Sequence, residues 1–187
     1  RLNIEDYTAA LKKLRKHFMV RPILRNPGHD LFIGDFTDCC LAMNSGQYPH
    51  AMVERLLDEG LNVIEAIDES TDRTMAALWL YIAEDGSLVI HNIEIDAEYE
   101  KMPPIKARVA EGLINYAASF AEYIGVKRLL IGMPNHGKYF DGGGFVEQRY
   151  GNNKIPFALD KIGGYLDNRQ YYLDSARKPE AYLVKGN

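Results

Sequence analysis

The chain has 187 residues, 47% of them hydrophobic, which suits one domain with a substantial core and excludes a disordered chain. Twenty-two lysines and arginines against 26 acidic residues give a net charge of −4, which lends no general support to nucleic-acid binding. Charges interrupt every apolar run well short of the ~20 residues a membrane helix needs, so no span is expected.

Arg1 runs straight into an amphipathic pattern with no signal-like segment, so the sequence is expected to be part of a longer protein and to form a single α/β domain over residues 1–187. Ile4, Tyr7, Leu11, Leu14 and Phe18 recur at helical spacing and predict a helix over residues 4–19. Lys12, Lys13, Arg15, Lys16, Arg21 and Arg25 make this end basic. Such a face suits a partner surface or a cofactor phosphate, while an ordinary solvated helix face is the simpler reading. Residues 31–33, Leu-Phe-Ile, predict a short strand, and residues 49–59 a helix stopped by Gly60. Cys39 and Cys40 are the only cysteines and are adjacent, which rules out a long-range intrachain disulfide and points to a reducing, cytoplasmic setting.

Residues 62–67 (NVIEAI), 74–83 (TMAALWLYIA) and 87–95 (SLVIHNIEI) predict three strands joined by short turns, hence antiparallel. Pro103 and Pro104 open the next helix, where their missing N–H groups cost least. Its expected buried stripe is Ile105, Val109, Leu113, Tyr116, Phe120 and Ile124, and Gly125 ends it before a strand over residues 126–131. Strand, helix and strand in that order imply a crossover, so the expected fold is α/β with a mixed central sheet, antiparallel strands and one parallel crossover. Gly142 to Gly144 read as a bend, residues 155–162 as a short helix, and 171–173 and 181–184 as terminal strands.

The segments NVIEAIDESTDRTMAALWLYIAEDGSLVIHNIEI, IKARVAEGLINYAASFAEYIG and VKRLLIG resemble the second to fourth strands, main helix and fifth strand of the GNAT-type N-acetyltransferase superfamily. The resemblance covers residues 62–132 and implies transfer of a small acyl group from acetyl-CoA or another acyl-CoA to an amine on a small molecule, peptide or protein. In that family the pantetheine arm enters a wedge between the fourth and fifth strands, and the pyrophosphate meets amides at the main helix's N-terminus. The implied cofactor residues are Asn92, Ile93 and Ile95 at the wedge and Lys101 and Lys106 at the phosphate end. The sequence departs from the pattern in one place. The family's glycine-containing loop is replaced by DAEYEKMPPIKARVAEG, where Pro103 and Pro104 remove two amide donors.

By the same resemblance Glu94, late in the fourth strand, is the candidate base, and Tyr139 or Tyr150 the acid for the leaving thiolate. Alternation puts Asn92 and Glu94 on one strand face and His91 on the other. In GDFTDCCLAMN, residues 34–44, Asp38 or Thr37 is expected to cap a turn, with Cys39 and Cys40 as small fillers. The alternative is a Cys39 or Cys40 nucleophile served by His50, His91 or His136, which makes a cysteine-dependent hydrolase or transferase. Asn135, His136 and Lys138 follow a predicted strand end, a usual place for ligands in open α/β sheets. Scattered histidines and vicinal cysteines predict no metal. A noncatalytic interaction module on the same fold is the remaining alternative.

Overall fold

The computed structural model describes residues 17–83, 85–132, 143–156 and 180–186. Seven strands form one sheet: β1 (Phe18–Pro22), β2 (Leu61–Asp68), β3 (Arg73–Ile82), β4 (Leu88–Ile95), β5 (Leu129–Gly132), β6 (Lys154–Pro156) and β7 (Glu180–Lys185). Their order is β1-β2-β3-β4-β5-β7-β6. Only β4 and β5 pair in parallel. The sheet is therefore mixed as expected, with its single crossover supplied by the long helix between β4 and β5.

Six helices are described: α1 (Pro27–Asp30), α2 (Ile33–Phe36), α3 (Pro49–Leu57), α4 (Ala97–Glu100), α5 (Pro103–Tyr123) and α6 (Gly143–Tyr150). α5 lies against one sheet face, where Leu78, Leu80, Leu88, Ile90, Ile93 and Ile131 meet Ile105, Val109, Leu113 and Ala117. Its buried stripe turns toward Ala110, Ala117 and Ala121 rather than Tyr116, Phe120 and Ile124, because small side chains let the helix approach the sheet. The helix stops at a Schellman motif: Val126 N–H bonds Ala121 O and Gly125 N–H bonds Glu122 O, with Gly125 at φ +75°. The opposite face packs Val63, Ala77, Trp79, Tyr81 and Val89 beneath Ile33, Leu41 and Met52. Strands buried on both faces explain the nearly unbroken apolar run of β3.

Several sequence expectations are corrected. Phe18 and Met19 belong to the edge strand β1, paired with β2, and not to the helix expected over residues 4–19, of which residues 4–16 lie outside those described. Leu31 and Phe32 are a turn and Ile33 opens α2, so residues 31–33 are not a strand; three apolar residues carry no period. Lys154 to Pro156 pair with β7 instead of starting a helix. Gly143 opens α6 rather than a bend. Part of the basic N-terminal face is also structural: Arg21 pairs with Glu65, and Arg25 donates to Leu61 O.

No helix among the described residues is long and apolar enough to cross a membrane. Among those residues no three histidine, cysteine or acidic side chains cluster as metal ligands.

Candidate functional site on β4

β4 pairs with β5 only at Leu88, Val89 and Ile90. From Asn92 to Ile95 the strand keeps its β3 partners and has no β5 partner among the described residues. Among the described residues the β4–β5 pairing therefore covers only the first three residues of β4. A β-bulge follows the last of these pairs: Trp79 opposes Asn92, yet Leu80 opposes Ile90, so β4 carries one extra residue. The bulge alters the side-chain alternation. Ile90 and Ile93 both face α5, while His91 packs edge-on against Tyr81 on the Trp79 face, with ring centroids 5.6 Å apart. His91 thus shares a face with Asn92 and Glu94, contrary to simple alternation.

Glu94 is buried beneath α2 and the loop that follows it. Its Oε1 accepts from Asn92 Nδ2 at 3.1 Å and its Oε2 from Trp79 Nε1 at 3.2 Å. Thr37 Oγ1 stands 3.5 Å from Oε2 but has a shorter 3.0 Å bond to Ile33 O, which takes its single proton. Among the described residues Glu94 forms no ion pair, and the side-chain donors it has there are neutral. Arg55, buried on α3, lies over the Trp79 ring, 5.3 Å from its centroid.

Residues 34–48 deliver Thr37 and Cys39 to this carboxylate. Asp35 pins the loop by accepting from Met43 N at 2.7 Å and Asn44 N at 3.0 Å, the capping work expected of Thr37 or Asp38. Asp38 is instead exposed at φ +51°. Gly34 permits the tight return, since a Cβ there would meet the Ala42 amide nitrogen at 2.7 Å. Cys39 and Cys40 are half-buried against the Trp79 cluster. A hydrogen bond with Cys40, then burial, then the charge of Glu94 push the Cys39 thiol far above its ordinary value, opposed only by the Leu41 N–H. A thiol held in this way lacks the thiolate a nucleophile requires. Alkylation of Cys39 by iodoacetamide at pH 8, followed by peptide mass spectrometry, is expected to run at least ~10-fold slower than for a free cysteine peptide. Parity with the peptide would restore the thiol alternative.

The other candidates are dispersed. Ile93 and Ile95 turn their side chains into the α5 core and contribute only backbone to the strand edge. Tyr150, on α6, belongs to that same α5-side core, across the sheet from the Trp79 cluster. Burial pushes its phenol above the ordinary value, with Arg149 pulling the other way. Lys101 is exposed between α4 and α5, and Lys106 stands 3.7 Å from Glu100. His50 is exposed on α3, stacked edge-on to Tyr48. Asn135, His136, Lys138 and Tyr139 lie outside the described residues.

The first turn of α5 bears directly on phosphate binding. Pro103 and Pro104 have no N–H, and the Ile105 and Lys106 amides both bond Met102 O, at 2.9 and 3.0 Å. No main-chain donor in that turn is left for a phosphate. The helix end does not offer a pyrophosphate an amide cradle.

Trp79 and Thr37 are absent from the sequence-derived site. Trp79 had a readable signal, being the sole tryptophan and sharing strand alternation with Ala77 and Tyr81. Thr37 had none, because its approach depends on loop closure across 57 residues of sequence.

No family model and no curated protein matches the sequence significantly. Solved structures do match in shape. An acetyltransferase of the GNAT family from Staphylococcus aureus Mu50 is 11% identical, with a TM-score of 0.57 over 90% of this chain and 100% of that one. An acetyltransferase from Streptococcus agalactiae 2603 is 13% identical, with a TM-score of 0.56 over 90% of this chain and 98% of that one. A ribosomal-protein-alanine N-acetyltransferase from Brucella melitensis biovar Abortus 2308 is 14% identical, with a TM-score of 0.52 over 71% of this chain and 91% of that one. At these identities the likeness is one of fold: the chain has the mixed α/β fold of GNAT-family acetyltransferases.

Proposed function

We propose that this chain is an N-acyltransferase that moves a small acyl group from a pantetheine thioester, such as acetyl-CoA, to an amine. The observation that supports the reading is the end of the described β4–β5 pairing at Ile90, close to a buried carboxylate that forms no ion pair among the described residues. Asn92 to Ile95 would hold the pantetheine arm through their backbone, with Lys101 and Lys106 near its phosphate end. When bound, the donor supplies an activated acyl carbonyl and a thiolate leaving group. Glu94 receives the proton of the attacking amine at a carboxylate oxygen. Trp79 and Asn92 fix the plane of that carboxylate, so little reorganisation accompanies the transfer. Tyr150 and Tyr139 remain the candidate acids for the departing thiolate, and Tyr150 would have to reach it from the α5 side of the sheet.

Calorimetry with acetyl-CoA, longer acyl-CoAs and S-acetyl-pantetheine tests this directly. Saturable binding is expected. Because α5 offers no amides to the pyrophosphate, acetyl-CoA and S-acetyl-pantetheine are expected to differ by no more than ~10-fold, about 1.4 kcal/mol. A 100-fold preference for the CoA form would mean the phosphate end is built after all. No binding of any thioester would remove the acyltransferase reading and leave a noncatalytic module on the same fold.

A further inference from the structure

We propose that Arg55 is a positioning residue for Glu94 and acts through the Trp79 indole, which its guanidinium steadies and polarises. The inference deepens the reading above, and only its kinetic arm rests on that reading. Its starting point is a charge on an apolar helix face. Arg55 follows Ala51 by four residues and Met52 by three, so it lies on the side of α3 that packs into the Trp79 cluster. An apolar side chain at this position would continue the stripe. Arg55 puts a guanidinium there instead and is 4% exposed, although arginine is among the side chains least often buried.

The ring beneath the guanidinium gives it a task. The Arg55 Cζ stands 5.3 Å from the Trp79 ring centroid, within the ~6 Å over which a cation is attracted to an aromatic face. Both side chains are buried, and this attraction is strongest where water is excluded. The same indole donates its one N–H to Glu94 Oε2 at 3.2 Å. An indole held at its edge by a single hydrogen bond still has its plane to set, and a cation over the face sets it. The cation also draws π density toward itself and leaves the N–H more positive, which strengthens the bond to the carboxylate. Glu94 forms no ion pair among the described residues, so the ring is the route by which a buried positive charge acts on this carboxylate. Asn92 Nδ2 holds the other oxygen at 3.1 Å, which leaves the Trp79 bond as the one that Arg55 controls.

Trp79 is the only tryptophan in the chain, so nitrogen-15-labelled protein gives a single indole Nε1–H resonance to follow. In Arg55→Met that resonance is expected at lower proton shift, and its hydrogen exchange is expected to quicken by ~10-fold more than that of the Leu78 and Leu80 backbone amides on the same strand. A loss of stability alone would quicken all three together. Arg55→Lys, which keeps a cation, should hold the ratio of indole to backbone exchange within about threefold of wild type. In acyl transfer, Arg55→Met should lower kcat by ~10-fold with KM for acetyl-CoA changed by less than about threefold, and should cost less than about threefold on top of Glu94→Gln. An indole that exchanges in step with Leu78 and Leu80, or a kcat loss fully additive with that of Glu94→Gln, would overturn the proposal. Loss of the native amide spectrum in both Arg55→Met and Arg55→Gln would overturn it too, by making Arg55 a residue of the fold. The two readings fail separately. Acyl transfer with no indole effect removes the role of Arg55 and leaves the acyltransferase; an indole effect in a protein that transfers no acyl group does the reverse.

Discussion

Glu94→Gln is expected to lower acyl transfer by about 10²- to 10⁴-fold, the usual contribution of a positioned proton acceptor, while thioester affinity changes less than threefold. The substitution is close in shape, and the side chain stays beneath Thr37 and beside Trp79. What it loses is the capacity to take a proton. One of its two terminal atoms also becomes a donor, facing either the Trp79 N–H or the Asn92 amide, both of which now donate to Glu94. Asn92 can rotate its amide to restore one bond, so the fold should survive with a loss of ~1 kcal/mol. The measurement is acetyl-CoA-dependent release of free thiol in the presence of a primary amine, alongside calorimetric affinity for acetyl-CoA. Unchanged turnover would take Glu94 out of the chemistry. A parallel collapse of thioester affinity would make it a structural residue of the wedge.

The largest effect on stability is expected at a second buried carboxylate. Glu65 is fully buried on β2, and Arg21 Nε on edge strand β1 donates to its Oε1 at 2.8 Å. Thr74 Oγ1 lies 3.3 Å from Oε2, and His29 Nε2 3.4 Å away. Arg21→Met leaves that charge without its main partner. Breaking a buried pair costs about 3–5 kcal/mol, and the partial exposure of Arg21 reduces the expectation to about 2–3 kcal/mol. Urea unfolding should show this loss, and the double variant Arg21→Met/Glu65→Leu should recover most of it, because no unpaired charge remains. A single variant within ~0.5 kcal/mol of wild type would show that His29 and Thr74 suffice.

The legible parts of the fold were those with a period. The β2–β3–β4 meander announced itself through apolar runs separated by DEST and EDG turns, and α5 through its helical stripe and Gly125. β1 was hidden because its first residues continue the spacing of the preceding helical pattern, so Phe18 fits both readings. In the structure Phe18 lies against α5, where a Cβ on Gly112 would come within 2.8 Å of its ring. The site was half legible. Glu94 stood out by its place late in β4, but no local residue pattern marks the bulge after Ile90, and the bulge decides which side chains join Glu94. It carries His91 to the Trp79 face, whereas the shared face of Asn92 and Glu94 was already legible from alternation. The α5 prolines were read correctly as lost donors. The structure adds that the next two amides are consumed by Met102 O, which only backbone geometry reveals.

The central claim is that a pantetheine thioester lies along the free edge of β4. Backbone amide resonances of Asn92, Ile93, Glu94 and Ile95, followed as acetyl-CoA is added to saturation, test it most directly. Shifts concentrated at these four residues, with those of Lys101 and Lys106 smaller, are the expected result. Saturating acetyl-CoA that leaves all four unmoved, or that moves only residues remote from the end of the described β4–β5 pairing, would contradict it.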